Sequence, residues 1–165
     1  MKILEYPDPF LFKKVDTVSV FDESLKKLVL DMIDTMFSSK GVGLSANQVG
    51  INKRIFVMNC VGEESPTYIF INPIIKNNNS EEGLDKEGCL SFPGLYIDVK
   101  RKKSAIVQWQ DLEGKFQEQE FFGLEAICVQ HEIDHLDGIV FVNRLPGASK
   151  ILALNKLKKI RRKKK

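Results

Sequence analysis

The chain has 165 residues, 43% of them hydrophobic, and a formal net charge of +3. This length suits one well-packed domain and is short for two, so we expect a single core. No apolar run approaches the roughly 18 residues of a membrane span, and the first residues lack a signal or transit pattern, which predicts a cytoplasmic protein without a membrane partner.

The first predicted element is a helix. Apolar residues recur at spacings of three and four from Asp22 to Lys40, as in an amphipathic helix with Asp22 as its cap. We expect Gly41 to end it. Two further helices are predicted later, from about Phe122 to Leu136 and from about Gly147 into the C-terminal segment.

Four strands are predicted between these helices. The runs RIFVMNC (54–60) and TYIFINP (67–73) are rich in β-branched and aromatic residues, which predicts two strands joined by a turn. The runs SAIVQWQ (104–110) and KFQEQEF (115–121) flank DLEG and predict a hairpin. This order of elements indicates an α+β domain.

Both histidines of the chain lie in the stretch QHEIDHLDG. On a helix, residues four apart share a face, so His131 and His135 can bind one metal ion. Glu132 lies about 100° round the helix from His131, which suits a general base acting on water at the ion. The alternative is a helix with two incidental histidines. The absence of any other histidine favours the metal.

A catalytic metal site usually has three protein ligands and an open position. After His135 the chain has no histidine and only one carboxylate, Asp137, on another face of the helix. Among the three cysteines, Cys128 is about 10 Å along the axis from His135 and suits a wall of the site, while Cys60 suits a buried apolar residue. Cys89 lies in the loop-like stretch EGCLSFPG, and its thiolate would complete the site.

Three segments together resemble the motifs of the peptide deformylase family, in that family's order and with about its spacing. They are GVGLSANQ (41–48), EGCLS (87–91) and QHEIDHLDG (130–138). The resemblance covers essentially the whole chain. It implies one catalytic domain over residues 1–165, of mostly antiparallel strands around a central metal-binding helix, with a basic C-terminal helix or tail from about residue 147.

The resemblance implies hydrolysis of the formyl group from the N-terminal formylmethionine of new polypeptides, with release of formate. The implied ligands of one divalent ion are Cys89, His131 and His135. The ion is most often Fe²⁺ natively, with Zn²⁺, Ni²⁺ or Co²⁺ as alternatives, and it lowers the pKa of its bound water towards about 7. Glu132 is the implied acid/base. Gln48, by its side-chain amide, and Leu90, by its backbone N–H, would stabilise the oxyanion.

The resemblance also implies a peptide groove. The main chain of Val42, Gly43 and Leu44 would pair with the substrate like an added strand. The implied pocket for the methionine side chain consists of Leu124, Ile127 and Cys128, with Val42 and Gly88 at its edge. Tyr96 stands where some members carry arginine, so contacts beyond the methionine should differ.

Two further positions bear on the family pattern. Glu87 and Arg101 resemble a pair in which the arginine holds the carboxylate and fixes the cysteine loop; the alternative is a solvated surface pair worth about 0 to 1 kcal/mol. Ser45 stands where the first motif most often has alanine, and its hydroxyl needs a partner if it is buried.

The C-terminal segment is strongly basic. Residues 144–165 hold ten of the 25 basic residues and no acidic one. Such runs are most often solvated helix ends. For an enzyme that acts on N-formylmethionyl nascent peptides, this helix would also suit ribosomal RNA. We expect no DNA partner.

Two other classes of protein fit part of the pattern. A metal-dependent endopeptidase would use the same H-E-x-x-H residues but needs a downstream ligand, which this chain lacks. A non-catalytic zinc module that binds the ribosome or RNA would need a fourth protein ligand and would have no use for Glu132.

Overall fold

Two antiparallel sheets form the β part of this computed structural model, which describes residues 1–62, 64–76 and 80–163. The larger sheet has the strand order β1-β2-β3-β6-β7 and the smaller one pairs β4 with β5. The strands are β1 (Gly43–Ser45), β2 (Ile55–Met58), β3 (Tyr68–Lys76), β4 (Glu82–Gly88), β5 (Tyr96–Lys102), β6 (Ser104–Gln110) and β7 (Phe116–Phe122). Among the described residues β1 pairs only with β2, which leaves its other edge without a partner strand there.

Three α-helices accompany the sheets in the described residues. They are α1 (Glu23–Ser38), α2 (Gly123–Leu136) and α3 (Gly147–Lys163). Short 3₁₀ turns cover Pro9–Phe12, Ala46–Val49 and Phe141–Arg144. None of the described helices is long and apolar enough to cross a membrane. Two residues of the predicted basic tail, Lys164 and Lys165, lie outside the described residues.

Helix α2 is the centre of the fold. It packs against five strands of the large sheet, against β5 and against the 3₁₀ turn Ala46–Val49. From Cys128 to Leu136 all its residues are buried except Gln130. A helix buried nearly all round must satisfy its polar side chains inside the protein. The predicted α+β class, with antiparallel strands around a central helix and a C-terminal helix, is confirmed.

Three apolar clusters surround α2. One joins α2 to the large sheet and is rich in aromatic residues, among them Phe56 and Phe70, whose rings stack at 4.2 Å between centroids. A second joins α1 to the strands β1 to β3. A third joins β5, the 3₁₀ turn Phe141–Arg144 and α3. The first cluster fixes the position of α2 on the large sheet, since it alone contains residues of this helix.

The predicted helix from Asp22 to Lys40 is slightly shorter in the structure. Asp22 caps it as expected, since its Oδ1 accepts the Leu25 N–H at 3.0 Å, but the helix ends at Ser38. Lys40, with φ at 56°, makes the turn that we expected of Gly41. Gly41 has a different use, because a Cβ there would lie 2.7 Å from Leu90 Cδ1.

The four predicted strands correspond to β2, β3, β6 and β7, and the predicted hairpin has Gln110 opposite Phe116. Helices α2 and α3 begin within one residue of the predicted positions. The patterns of residues did not reveal β4 and β5. These two strands deliver the cysteine loop to α2, because β4 ends at Gly88, directly before Cys89.

Candidate active site

Three side chains from two separate parts of the sequence meet at one face of α2. Cys89, His131 and His135 each offer one sulfur or nitrogen atom, and these atoms lie within 4.8 Å of one another. His135 Nε2 is 3.2 Å from His131 Nε2 and 3.2 Å from Cys89 Sγ. The helix supplies both imidazoles from adjacent turns, and the end of β4 supplies the thiol.

The spacing of these atoms fits a tetrahedral metal ion. Nitrogen and sulfur ligands at their usual distances from zinc stand roughly 3.3 to 3.8 Å apart, close to the separations in the cluster. Cys89 and His131 also line a cavity, so the side of the cluster without a protein ligand faces that cavity. The residues present therefore fit a divalent ion with one open position.

A buried ion pair of Glu87 and Arg101 positions the ring of His131 through its Nδ1 atom. Glu87 Oε2 accepts a hydrogen bond from His131 Nδ1 at 2.8 Å, which leaves Nε2 free to face the cluster. Arg101 donates to Glu87 through Nε at 2.7 Å and through Nη2 at 3.1 Å. Both side chains are only 3% exposed, so the pair is not a solvated surface pair.

The network extends to two residues that the sequence gave no reason to select. Arg101 Nη1 lies 2.5 Å from Asp134 Oδ2. Arg144 also donates to the Asp134 carboxylate, with its Nε 2.9 Å from Oδ2. Burial alone would raise the pKa of Glu87, but the hydrogen bonds from His131 and Arg101 outweigh it and lower that pKa to about 2. Glu87 is therefore ionised at neutral pH.

Replacing Arg101 by methionine is expected to lower the free energy of unfolding by about 3 to 5 kcal/mol, because it leaves Glu87 and Asp134 buried without their shared cation. Urea unfolding of the metal-free protein, followed by the fluorescence of its single tryptophan, measures the change. Lys100→Met is the matched control, since Lys100 pairs with Glu82 on the surface and should cost about 0 to 1 kcal/mol. Equal losses in the two variants would contradict the expected result.

The surroundings of the two histidines shift their pKa values in opposite directions. Burial opposes charge on His131, but hydrogen bonds with Cys89 and Glu87 hold its pKa well above the ordinary value. Burial and the nearby charges of His131 and Arg101 hold the pKa of His135 well below it. Since a histidine binds a metal through a neutral ring nitrogen, the surroundings of His135 favour the form that a metal ion needs.

Glu132 lies beside the cluster and is buried. Its burial raises its pKa, and the charge of His131 and the hydroxyl of Ser45 offset this only in part. The Ser45 hydroxyl lies 2.6 Å from Glu132 Oε2 and 2.9 Å from the Glu132 carbonyl oxygen. Ser45 is fully buried, so its extra hydroxyl finds its partner in Glu132. A Cβ at Gly43 would lie 2.5 Å from Glu132 Oε1, so only glycine leaves room for this carboxylate.

Gln48 is oriented by the backbone of Ser45. The Ser45 N–H donates to Gln48 Oε1 at 2.9 Å, so the amide Nε2 points the other way, towards Ser91 Oγ at 3.1 Å and Cys89 Sγ at 3.5 Å. The Leu90 N–H has no hydrogen-bond partner within the described ranges. The Leu90 N–H is therefore an open donor near the cluster, whereas the Gln48 amide already donates to Ser91 and Cys89.

The cavity in front of the cluster has a volume of about 410 Å³, within the usual range for small-ligand sites. Most of the predicted substrate-binding residues line it, namely Val42, Gly43, Gly88, Tyr96, Leu124, Ile127 and Cys128, together with Glu87, Gln48, Leu90 and Glu132. The lining also includes residues that were not predicted, among them Lys40, Pro93 and Leu95. The cavity is thus part apolar and part polar.

Leu44 is the exception among the predicted substrate-binding residues. Its side chain is fully buried in the cluster under α1 and does not line the cavity. It lies in β1, whose outer edge pairs with no strand in the part of the chain that the structure describes. Only the main chain of Leu44 is therefore available to a ligand, through the hydrogen-bonding groups that an edge strand leaves open.

Known proteins resemble this chain in both sequence and fold. The family model described as polypeptide deformylase matches residues 1–150. The chain is 40% identical to a peptide deformylase of Zymomonas mobilis, an alignment that covers 98% of this chain and 95% of the relative.

Solved structures give the same result. A peptide deformylase of Legionella pneumophila superposes with a TM-score of 0.92 at 42% identity, covering 99% of this chain and 96% of that one. A peptide deformylase of Synechococcus elongatus, solved in complex with actinonin, superposes with a TM-score of 0.89 at 37% identity, covering 94% and 86%. By sequence and by fold, the chain is a member of the polypeptide deformylase family of enzymes.

Proposed function

We propose that this protein removes the formyl group from the N-terminal formylmethionine of newly made polypeptides and releases formate. The observation that carries the proposal is the Cys89, His131 and His135 cluster at a cavity wall, with Glu132 beside it, in a chain of the polypeptide deformylase family. The whole chain, residues 1–165, would act as one catalytic domain in the cytoplasm.

Cys89, His131 and His135 are the proposed ligands of one divalent metal ion, Fe²⁺ natively, with Zn²⁺, Ni²⁺ or Co²⁺ able to replace it. When bound, the ion supplies a water molecule of lowered pKa and polarises the formyl oxygen. Glu87 and Arg101 are the proposed support of this site, since they fix the ring of His131 through its Nδ1.

Glu132 is the proposed acid and base. Its carboxylate takes a proton from the attacking water and returns it to the nitrogen of the departing amine. Its burial favours this cycle, because a carboxylate with a raised pKa holds the proton more readily between the two steps. The Ser45 hydroxyl holds Oε2 in place, and Oε1 lies beside Gly43, a residue that lines the cavity.

Gln48 and Leu90 are the proposed oxyanion donors. Attack on the formyl carbon places negative charge on its oxygen. Among the described residues the Leu90 N–H is an open donor, and the Gln48 amide, which donates to Ser91 and Cys89 in the absence of substrate, would donate to the same oxygen. Removing one donor of this kind typically lowers the rate by about 100- to 1,000-fold. The Ser45 N–H holds the Gln48 side chain so that its amide nitrogen points towards the cluster.

The proposed peptide path follows the free edge of β1. The main chain of Val42 to Leu44 would pair with the substrate backbone, and the methionine side chain would fill the apolar part of the cavity formed by Leu124, Ile127 and Cys128, with Val42 and Gly88 at its edge. Tyr96 is exposed at the cavity and would contact the residues that follow the methionine.

The two alternative classes of protein are disfavoured by the same geometry. Asp137 is the only carboxylate after His135 and it pairs with Arg54 at 2.8 Å, so it does not serve as the downstream ligand of an endopeptidase. The metal cluster found in the described residues contains three ligands, whereas a structural zinc site usually contains four.

Formate release from a formyl-Met tripeptide tests the proposal. The protein is purified without oxygen in the presence of Fe²⁺ or Ni²⁺, and the acetyl-Met tripeptide and an internally cleavable blocked peptide are assayed in parallel. We expect release from the formyl peptide alone. A metal-loaded, folded protein that releases no formate, or that cleaves the blocked peptide internally, would overturn it.

Substitution of Ser45 by alanine is expected to lower kcat about fivefold, because one hydrogen bond that holds Glu132, worth about 1 kcal/mol, is lost. KM should change little, since Ser45 does not line the cavity. Steady-state kinetics on the formyl peptide measures both constants. Ser91→Ala is the comparison variant, because it removes a hydrogen-bond partner of Gln48 instead of one of Glu132. An unchanged kcat in Ser45→Ala would show that the Ser45 hydroxyl does not position Glu132.

The ribosome is the proposed docking partner of α3. Lys158, Lys159 and Arg162 lie together on the exposed face of this helix, and such a face can bind RNA phosphates in a salt-sensitive way. Glutamine at these three positions should weaken co-sedimentation with ribosomes and leave formyl-peptide hydrolysis intact. The same change at exposed Lys2, Lys27 and Lys115 is the charge-matched control; equal sedimentation of both triple variants would refute the docking.

A further inference from the structure

Charged side chains of both signs line the cavity, but only the positive ones are exposed. The carboxylates in the lining are Glu87 and Glu132; both are buried, and Glu87 already pairs with Arg101. The lysines in the lining are Lys40 and Lys86, and both are exposed. Within the described ranges neither lysine side chain has an ion-pair or hydrogen-bond partner. The open side of the cavity is therefore positively charged.

Lys40 lies in the turn between α1 and β1. Its N–H donates to the Phe37 carbonyl at 2.9 Å, and its φ of 56° falls in the left-handed region. Glycine or asparagine suits that region better than lysine, so the backbone gives no reason for a lysine at this position. Its charge is well placed just after the end of α1, where the helix carbonyl groups carry partial negative charge. Lys40 therefore brings a stable positive charge to one wall of the cavity.

Lys86 brings the second positive charge, from β4. Successive strand residues point to opposite faces; Glu87 is only 5% exposed, so Lys86 and Gly88 share the outer face. The ring of Tyr96 lies against Gly88, where a Cβ would be 2.6 Å from Cε1, and all three residues line the cavity. Asp98 is opposite Lys86 in β5, but it does not line the cavity, and the two form no ion pair among the described residues. The charge of Lys86 is thus available to a ligand.

A peptide that pairs with the outer edge of β1 would run past Lys40. Gly43 is the residue of β1 beside the proposed acid and base. Leu44 is fully buried, whereas Val42 and Lys40 are exposed, so the open direction from Gly43 is towards Lys40. Each residue of a strand spans about 3.3 Å. If the formylmethionine lies level with Gly43, the third residue of the peptide lies level with Gly41, next to Lys40.

We propose that Lys40 and Lys86 make this protein select formylmethionyl peptides with an aspartate or glutamate close to the methionine, above all as the third residue. This inference rests on the proposed function, since it concerns the peptide held in the same cavity. The flexible four-carbon stem of lysine lets each ammonium group follow a carboxylate. Glutamate at the third position gains an attraction that glutamine lacks, and lysine there is repelled.

The selection should appear in KM rather than in kcat. The two charges act on a side chain remote from the formyl carbon, so they stabilise the bound substrate and the transition state equally. Exposed ion pairs are weak, and the expected advantage of glutamate over glutamine is about fivefold. Salt should remove it, because charges are screened over about 10 Å at 0.1 M salt and over about 3 Å at 1 M.

Three peptides that differ at one position test the selection. They are formyl-Met-Ala-X-Ala amides in which X is glutamate, glutamine or lysine, so the side chain of X is the only charge. Formate release by Ni²⁺-loaded full-length protein is measured at low salt and again at about 1 M salt. At low salt we expect kcat/KM to be about five times higher for the glutamate peptide than for the glutamine peptide, and about five times lower for the lysine peptide. The three values should converge at high salt.

Charge reversal at both cavity lysines gives the sharpest comparison. A Lys40→Glu, Lys86→Glu double variant should invert the order, so that the lysine peptide has the lowest KM. A Lys27→Glu, Lys115→Glu double variant is the charge-matched control, since these lysines are exposed and do not line the cavity. It changes the net charge equally and should keep the parental order.

The outcomes separate this inference from the proposed function. Equal kcat/KM for the three peptides at low salt, or the same order in both double variants, would overturn the selection. Absence of formate from every peptide would overturn the proposed function instead. Calorimetric titration of Ni²⁺-loaded Glu132→Gln protein with the same peptides measures Kd without turnover and therefore decides the selection in either case; three equal Kd values would refute it.

Discussion

Glutamine in place of Glu132 is expected to lower kcat for formate release by about 100- to 10,000-fold, the range that a positioned acid and base contributes. The amide has the same shape but neither accepts a proton from water nor delivers one to the departing amine. Since Glu132 is not one of the three clustered ligands, the metal content of the variant should equal that of the parent protein.

The measurement pairs steady-state formate release with metal analysis of the same samples. Glutamine should keep the Ser45 contact, since Ser45 Oγ lies 2.6 Å from Oε2 and a side-chain amide can take part in that hydrogen bond. Stability therefore should not explain the loss. Ser45→Ala, with its much smaller expected effect, is the internal comparison. A Glu132→Gln protein with full metal and nearly parental kcat would exclude Glu132 as the acid and base.

Local periodicity predicted the parts of this site that depend on one helix. The four-residue spacing of His131 and His135 places them on one face wherever they form a helix, and the structure shows them 3.2 Å apart through their Nε2 atoms. The helix α2 itself was predicted within one residue of its start. The position of Cys89 followed from excluding other ligands, and the structure places it beside both histidines. That all three bind a metal stays a prediction.

Long-range contacts were beyond the reach of sequence patterns. Ser45 and Glu132 are 87 residues apart, and nothing in either segment indicates that they meet. The same holds for Asp134 and Arg144, which the structure joins to Arg101. Arg144 could only be assigned to the basic segment, because charge alone does not reveal a buried partner.

The small sheet was missed for a related reason. Strand β4 has the sequence EGLDKEG, in which Leu84 is the one large apolar residue, so it carries neither the alternation nor the composition of a typical strand. Its order comes from pairing with β5 along its whole length. Strand β1 has three residues and is fixed by β2 and α2. Elements whose stability comes from neighbours leave little trace in their own sequence.

Cys89→Ala is the second variant with a very large expected effect. It removes the sulfur atom of the cluster and leaves two imidazoles from one helix. Loss of an outer contact to a ligand already weakens metal binding by about 10- to 100-fold, so loss of a ligand should weaken it by at least about 100-fold. Dialysed protein should then contain little metal and release little formate.

Two features make this variant informative about ligation rather than folding. Cys89 is partly buried at the edge of an apolar cluster, so alanine removes a single sulfur atom at the rim of that cluster, and circular dichroism should remain as in the parent. Cys60→Ser is the control for removal of a thiol distant from the ligands. In the parent protein, bound metal should also slow alkylation of Cys89, and chelation should restore it. A Cys89→Ala protein that retains one ion per chain after dialysis would exclude the thiolate as a ligand, and the cavity would then need another source for its third donor.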